Sequence, residues 1–256
     1  MASLSVENVS LVFPLYSPAQ LHEHVAHEDH DERLILSRKG RILGVKALEG
    51  VSVSLKSGDR LALIGRNGSG KTTLLQVMAG IILADHGRVV MDGRCTNLIN
   101  ISLGMRHEAS GHRNITLRGL AAGHSRAEIE KRRPEIAQFS ELGEFLDMPV
   151  ATYSAGMAMR LSFAIATAFE PEILLLDEWI GAGDAAFRQK ATERMQRFVS
   201  KAGVLVLASH NRQMLVDACN IALWLDRGRV KRIGPVLDVL AAYESDGASV
   251  KAARAG

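Results

Sequence analysis

Cysteine is scarce in this chain. There are two, Cys95 and Cys219, far apart and in no metal-ligand spacing. Neither a disulfide framework nor a cysteine-bound metal cluster is expected, and a reducing compartment is. Long apolar runs are missing too. The longest, such as Leu161 to Phe169, reach nine residues, half of the ~18 that a membrane-spanning helix needs. The N-terminus carries no signal-peptide pattern, so a soluble, cytoplasmic chain is the expectation, with docking on a membrane protein left open. Charge of one sign is lacking as well. The formal net charge is +3 and the basic residues are interspersed with acids, which leaves no footprint for nucleic acid. No internal repeat is visible. What is present is 256 residues, 47% of them apolar. That suffices for a sizeable core, argues against global disorder, and fits one large α/β domain with room for a subdomain.

Along the chain, Leu4, Val6, Val9, Leu11 and Phe13 suggest an opening strand with partial alternation. Residues Pro14 to Lys46 depart from any pattern. They hold His22, His24, His27 and His30 among acids, then the basic stretch Arg33 to Lys46. Strand-like runs follow at Leu48–Leu55 and Arg60–Ile64, separated by the turn Lys56-Ser57-Gly58-Asp59, and again at Val89–Met91. The stretch from about 101 to 159 reads as mostly helical, and Ser125-Arg126-Ala127-Glu128 is a capping box starting a helix towards Ser140. Strand, helix, strand and helix then alternate at Ile173–Asp177, Ala185–Ser200, Val204–Ser209 and Arg212–Cys219, and a strand pair at Ala222–Leu225 and Val230–Ile233 closes the pattern. Such alternation predicts a doubly wound, largely parallel sheet. The tail Ser245–Gly256 is small, polar and expected to fray.

Eight residues carry the clearest chemistry. Gly65-Arg66-Asn67-Gly68-Ser69-Gly70-Lys71-Thr72 fit the phosphate-binding pattern G-x-x-x-x-G-K-[ST]. The pattern arises by chance in a chain this long with probability on the order of one per cent. Its flanks fit too: a buried strand at Arg60–Ile64 precedes it, and the helix-like run Thr73–Ala79 follows. Glycines let backbone N–H groups approach phosphates, and the orphan donors of a helix start point at them. Lys71 would reach the β- and γ-phosphates, the Thr72 hydroxyl would ligate Mg²⁺, and Thr73 closes the nucleotide-binding stretch.

Three further constellations follow. Ile173–Leu176 leads into Asp177-Glu178, a buried strand ending in two acids. Beside a phosphate loop Asp177 can hold Mg²⁺ through water, and Glu178 can orient or deprotonate the attacking water. Tyr153-Ser154-Ala155-Gly156-Met157 precedes a helix-like run; Ser154 is a good N-cap, so the loop reads either as a capped helix start or as a second anion site at a helix start. Ser209-His210 ends the strand after the acids.

In this order the motifs resemble those of ATP-binding-cassette (ABC) ATPases, over about Leu48 to Ile233. The resemblance implies an α/β P-loop NTPase (RecA-like) core with a mixed sheet plus the ABC α-helical subdomain. It places one domain over 1–256: core about 1–100 and 160–245, helical subdomain about 101–159, N-terminal insertion about 14–46 and frayed tail about 246–256. Ser154 and Gly156 match the signature Leu-Ser-Gly-Gly-Gln, while Tyr153, Ala155 and Met157 depart from it. His210 matches the switch histidine that contacts the γ-phosphate. Asp184, after Gly183, matches the loop that reaches across the dimer. Phe13 aligns best with the aromatic that stacks on adenine, with Tyr16 the alternative. Catalysis is thus assigned to Glu178, His210 and Lys71.

The finer resemblance is to ATPases that export polysaccharides such as O-antigen, capsule and teichoic-acid precursors. It rests on Tyr153–Met157 followed by Arg160-Leu161, on Glu178 to Phe187, and on Leu103-Gly104 to Asn114. It implies a homodimer, a separate transmembrane permease, a seat on the inner face of the cell membrane, and a lipid-linked glycan handled by the complex. The chain ends soon after the ATPase core, so the carbohydrate-binding module of two-domain members is expected to be absent. One departure stands out: no glutamine lies between Arg94 and Asn114, where most ABC ATPases carry a Mg²⁺-ligating, permease-coupled one. Asn100, Ser102, His107 and Glu108 are the polar candidates in its place. The Pro14–Lys46 insertion reads as a surface segment or permease contact rather than a metal site. Alternatives are an importer or lipid-exporter ATPase, a soluble ABC ATPase acting on nucleic acid or ribosomes, and a P-loop kinase or GTPase.

Overall fold

The computed structural model describes residues 2–15, 31–37, 42–99, 101, 103–178 and 185–253. The strands are β1 (Ser3–Pro14), β2 (Leu34–Leu36), β3 (Ile42–Lys56), β4 (Arg60–Ile64), β5 (His86–Asp92), β6 (Cys95–Asn97), β7 (Ile173–Asp177), β8 (Val204–Ala208), β9 (Ile221–Asp226) and β10 (Arg229–Pro235). The helices are α1 (Lys71–Met78), α2 (Gly111–Ala121), α3 (Arg126–Ser140), α4 (Ala155–Ala166), α5 (Ala185–Ser200), α6 (Arg212–Ala218) and α7 (Val236–Ala253). The chain divides into two compact units, one of Ser3–Met91 with Val206–Gly256, the other of Met1–Ala2 with Asp92–Leu205. Strand β8 carries the chain from the second to the first.

In the unit that holds the phosphate loop, one sheet has the order β2-β3-β1-β5. Strands β1, β2 and β3 pair antiparallel, from Ser3 opposite Lys56 to Pro14 opposite Gly44. This sheet was not legible as part of a doubly wound design, because hairpin-like pairing, not helical crossover, joins its strands. The partial alternation of β1 has a local cause. Leu4 and Val6 are buried, then Val9 and Leu11, a slip of one residue. The register shifts between Val6 and Val9, and Asn8 sits there with φ 50°. The extra residue of this bulge restores the core face.

The same unit contains β4 paired parallel with β9, Leu61 opposite Ile221 through Ile64 opposite Trp224. Strands β9 and β10 form an antiparallel hairpin. Its two central residues, Arg227 and Gly228, have φ 48° and 81°, as the tightest hairpin turns require. Helix α7 runs on through Ala253, where a frayed tail was expected. Asp246 is tied to Lys231 Nζ at 2.7 Å and Ser245 Oγ bonds Ala241 O at 2.9 Å, so tertiary and local bonds hold the start of that tail in the helix.

The other unit joins β6 and β7 in parallel to a helical run. Ile115, Ile129, Ile136, Leu161 and Ile165 bring α2, α3 and α4 around one apolar cluster. The capping box is complete: Ser125 Oγ accepts from Glu128 N at 3.3 Å, and Glu128 Oε2 accepts from Ser125 N at 2.7 Å. Parallel pairs with helical connections and antiparallel hairpins make the chain an α/β protein with mixed sheet.

Candidate functional site

The phosphate loop begins where β4 ends. Residues Leu61, Ala62, Leu63 and Ile64 are buried, which anchors the N-terminal side of the loop in the core. Gly65 has φ 149°, and a Cβ there would lie 2.2 Å from Leu225 O and 2.6 Å from Ser69 Oγ. No side chain fits between the loop and β9. Gly68, with φ 75°, has nothing within 4 Å of its would-be Cβ, so its glycine serves conformation rather than space. Ser69 N donates to Arg66 O at 3.1 Å, closing the tip of the loop, and Gly228 N donates to Ser69 O at 2.9 Å. The β9–β10 turn therefore buttresses the loop from behind.

Lys71 opens α1 and is 9% exposed. Its Nζ donates to Gly65 O at 2.8 Å and Arg66 O at 3.2 Å. The loop carbonyls thus hold the ammonium across the loop. Thr72 is exposed at the helix start, and Thr73 half-buried. Among the described residues, Ser69 Oγ is buried with no hydrogen-bond partner. Beside the loop lies a cavity of about 330 Å³ bordered by Arg33, Arg66, Asn67, Gly68 and Arg227 among others. An open glycine, the backbone donors of a helix start and a lysine held across the loop suit a polyphosphate.

Two other predicted residues belong to this unit. Phe13 lies on β1 opposite Val45 and is 41% exposed, which leaves its ring a face for a base. Tyr16 lies outside the described residues. His210 is exposed in a tight turn: Asn211 N bonds Ser209 Oγ at 3.1 Å, and Asn211 Oδ1 caps α6 by accepting from Met214 N at 3.1 Å.

The acid pair and the signature-like loop belong to the other unit. Leu174, Leu175 and Leu176 of β7 are fully buried, Asp177 is half-buried, and Glu178 is exposed. Glu178 has φ 62°, a left-handed conformation that costs a non-glycine residue ~1–2 kcal/mol. Strain of this kind is a mark of functional positions. Ser154 caps α4, its Oγ accepting from Met157 N at 3.2 Å, and Gly156 lies in the first turn. Asp184 lies outside the described residues.

Two features of this unit were invisible in the sequence. Tyr153, where the usual signature has leucine, donates its hydroxyl to Phe145 O at 2.6 Å. That hydroxyl also stands 2.5 Å from where a Cβ on Gly111 would be, so the departure is a local substitution of bonding, not a lost loop. Asn114 is fully buried. Its Oδ1 accepts from Arg106 N at 2.7 Å, and its Nδ2 donates to Arg106 O, Ala109 O and Ser110 O at 2.9, 3.2 and 3.0 Å. One amide thereby holds the loop of His107 and Glu108, both exposed. Asn100 and Ser102, the other candidates for the missing glutamine, lie outside the described residues, as do the four histidines of the insertion.

Residues 48–181, more than half of the chain, match the sequence profile of the family described as ABC transporter. Over 232 residues the chain is 42% identical to the O-antigen export system ATP-binding protein RfbE of Yersinia enterocolitica, covering 90% of this chain and 97% of that one. The chain belongs to the ABC transporter ATP-binding family. Another relative is the O-antigen export system ATP-binding protein RfbB of Klebsiella pneumoniae, 32% identical over 94% of this chain and 97% of its own. The teichoic acids export ATP-binding protein TagH of Listeria monocytogenes is 31% identical over 94% of this chain and 69% of its own. In fold, a solved ATP-binding subunit of an ABC transporter superposes with TM-score 0.67 at 23% identity, over 94% of this chain and 93% of that one. A dimeric bacterial ABC transporter cassette gives 0.63 at 19%, over 91% and 98%. Within this family the chain is an ATPase, and the phosphate loop is where ATP binding is expected.

Proposed function

We propose that this chain is the ATP-hydrolysing subunit of an exporter that drives a separate transmembrane permease to move a lipid-linked polysaccharide across the inner membrane. The observation that carries the reading is the 42% identity, over 97% of its length, to a protein of O-antigen export, joined to the built phosphate loop. The teichoic-acid relative supports the same substrate class. No helix among the described residues is long and apolar enough to cross a membrane, which fits a division of labour with a permease at the inner face.

In this reading Gly65 to Thr73 receive the triphosphate of ATP. The α1 start and the Lys71 ammonium neutralise charge that grows on the phosphoryl oxygens. Phe13 stacks on the base. Glu178 orients and deprotonates the attacking water, and His210 contacts the γ-phosphate. Ser154 and Gly156 at the α4 start, with Asp184, serve the nucleotide held by a second copy of the chain, so that ATP closes a homodimer and hydrolysis reopens it. Two surfaces neutralise a triphosphate better than one, which leaves it half solvated. Among the described residues no group of three or more His, Cys, Asp or Glu could hold a metal ion by itself. The Thr72 hydroxyl and the Asp177 carboxylate are hard oxygen donors that suit Mg²⁺ together with phosphate oxygens. When bound, that ion supplies further neutralisation of the phosphates.

The test is Glu178→Gln in the full chain. It should bind ATP, hydrolyse it at least about a hundredfold more slowly, as loss of a general base implies, and accumulate as a dimer by light scattering. Lys71→Ala should weaken binding itself. Normal turnover by Glu178→Gln would remove the assigned base. For the export reading, the chain should copurify with a co-expressed permease encoded beside glycosyltransferases, and should fail to do so with an importer's permease.

A further inference from the structure

Arg33 follows the histidine-rich stretch, and no motif gives it a role. Its guanidinium is gripped by a neighbour: Nε donates to Asp31 Oδ1 and Oδ2 at 3.0 and 3.1 Å, and Nη2 donates to Oδ2 at 2.5 Å. The backbone is fixed as well. Arg33 N bonds Asp31 Oδ1 at 3.1 Å, and Arg33 O accepts from Lys46 N at 2.8 Å. A planar guanidinium held along one edge has little freedom left in its remaining donors. Nη1 then reaches Gly68 O, in the middle of the phosphate loop, at 2.6 Å.

That carbonyl belongs to the peptide plane that closes the tip of the loop. The Gly68 C=O and the Ser69 N–H share a rigid plane. On its inner side Ser69 N–H closes the turn onto Arg66 O at 3.1 Å. On its outer side Arg33 holds the oxygen. Gly68 has φ 75° and a would-be Cβ that meets nothing within 4 Å, so no side-chain packing of its own fixes its conformation. A carbonyl anchored from outside supplies what the missing side chain cannot. The grip on Arg33 is maintained at any working pH, since the guanidinium beside Asp31 holds that carboxyl down at about 2.

We propose that Arg33 is a positioning residue for ATP: gripped by Asp31, it pins the Gly68 carbonyl and keeps the tip of the phosphate loop in the shape that receives the polyphosphate. The proposal rests on the nucleotide reading of the loop given above. It acts through the loop backbone, so its signature is in affinity rather than in the chemical step. A charge-assisted bond that is partly solvent-exposed corresponds to a loss of about three- to tenfold in nucleotide affinity.

The experiment compares wild type, Arg33→Ala, Arg33→Lys, Asp31→Asn and the control Arg88→Ala in the full chain. Arg88 is exposed and pairs with Glu7 Oε2 at 2.7 Å, in the same unit but outside the loop. Equilibrium binding of a fluorescent ATP analogue, steady-state ATPase rates and melting temperature are read for each. Arg33→Ala should weaken binding about three- to tenfold, raise KM by the same factor, and leave kcat at saturating ATP within about twofold. Arg33→Lys should recover part of the affinity, because an ammonium can still meet the carbonyl but loses the forked grip. Asp31→Asn should fall between wild type and Arg33→Ala, and Arg88→Ala should match wild type. Unchanged affinity in Arg33→Ala overturns the proposal alone, as does an equal loss in Arg88→Ala, or a lower kcat with unchanged KM. A wild type that binds no nucleotide overturns the reading of the loop, and this proposal with it.

Discussion

Gly65 offers the sharpest test of how the phosphate loop is built. Its would-be Cβ lies 2.2 Å from Leu225 O, 2.6 Å from Ser69 Oγ and 3.2 Å from Leu225 C. Leu225 cannot give way easily, because the preceding residues of β9 are paired with β4 up to Ile64 opposite Trp224. The loop must therefore move, by roughly an ångström to reach ordinary van der Waals separation. Gly68 is the internal comparison, since its φ of 75° carries strain but its would-be Cβ meets nothing within 4 Å. Both alanine variants bear a left-handed penalty of ~1–2 kcal/mol. Gly65→Ala alone adds overpacking of ~1–3 kcal/mol. At about 2–4 °C per kcal/mol for a chain of this size, Gly65→Ala should melt at least about 2 °C below Gly68→Ala. The larger difference should appear in function. An ångström's misplacement of positioning groups costs about a hundredfold in rate, so ATP turnover should be nearly lost in Gly65→Ala and only weakened in Gly68→Ala. Equal melting and equal turnover in the two variants would refute the close approach to β9 as the reason for glycine here.

Three further outcomes follow from the other unit. Glu128 is pushed down to about 2, chiefly by the Ser125 backbone bond, then by the Ser125 hydroxyl and Arg94. A depressed carboxylate contributes stability above its unfolded value and loses it as pH falls, so this contribution should disappear between about pH 4.5 and 2; Glu128→Gln should flatten that part of an acid melt relative to wild type. Asn114→Ala removes four hydrogen bonds from a fully buried position and should cost at least about 3 kcal/mol, with faster amide exchange at residues 106–110 as the readout. Tyr153→Phe loses the bond to Phe145 O and should cost about 1 kcal/mol in a denaturant melt, with ATP affinity unchanged.

Much of the site was readable because its determinants are local. Strand, glycine turn and helix start follow one another within Arg60 to Met78, and each is specified by side chains a few residues apart. The same is true of the Ser125–Glu128 capping box and of Ser154 at the start of α4. The β1 pattern was only half readable: an alternation that slips by one residue needs its partner strand before the bulge at Asn8 makes sense. Strand β3 reaches back to Ile42, through Gly44 and Lys46, which intrinsic preference would not place in a strand. Pairing with β1 and β2 overrides that preference.

The residue types at the phosphate loop and at the end of β7, and through them the family and the reaction, were determined by the sequence alone, because a glycine-rich turn between a buried strand and a helix start has few other uses. Which groups brace that loop was decided only by the tertiary structure. Leu225 and Gly228 press on it from more than 150 residues away along the chain, and Arg33 reaches Gly68 across 35. Contacts at such separations leave no periodicity or spacing behind, since they exist only once the strands have chosen their neighbours.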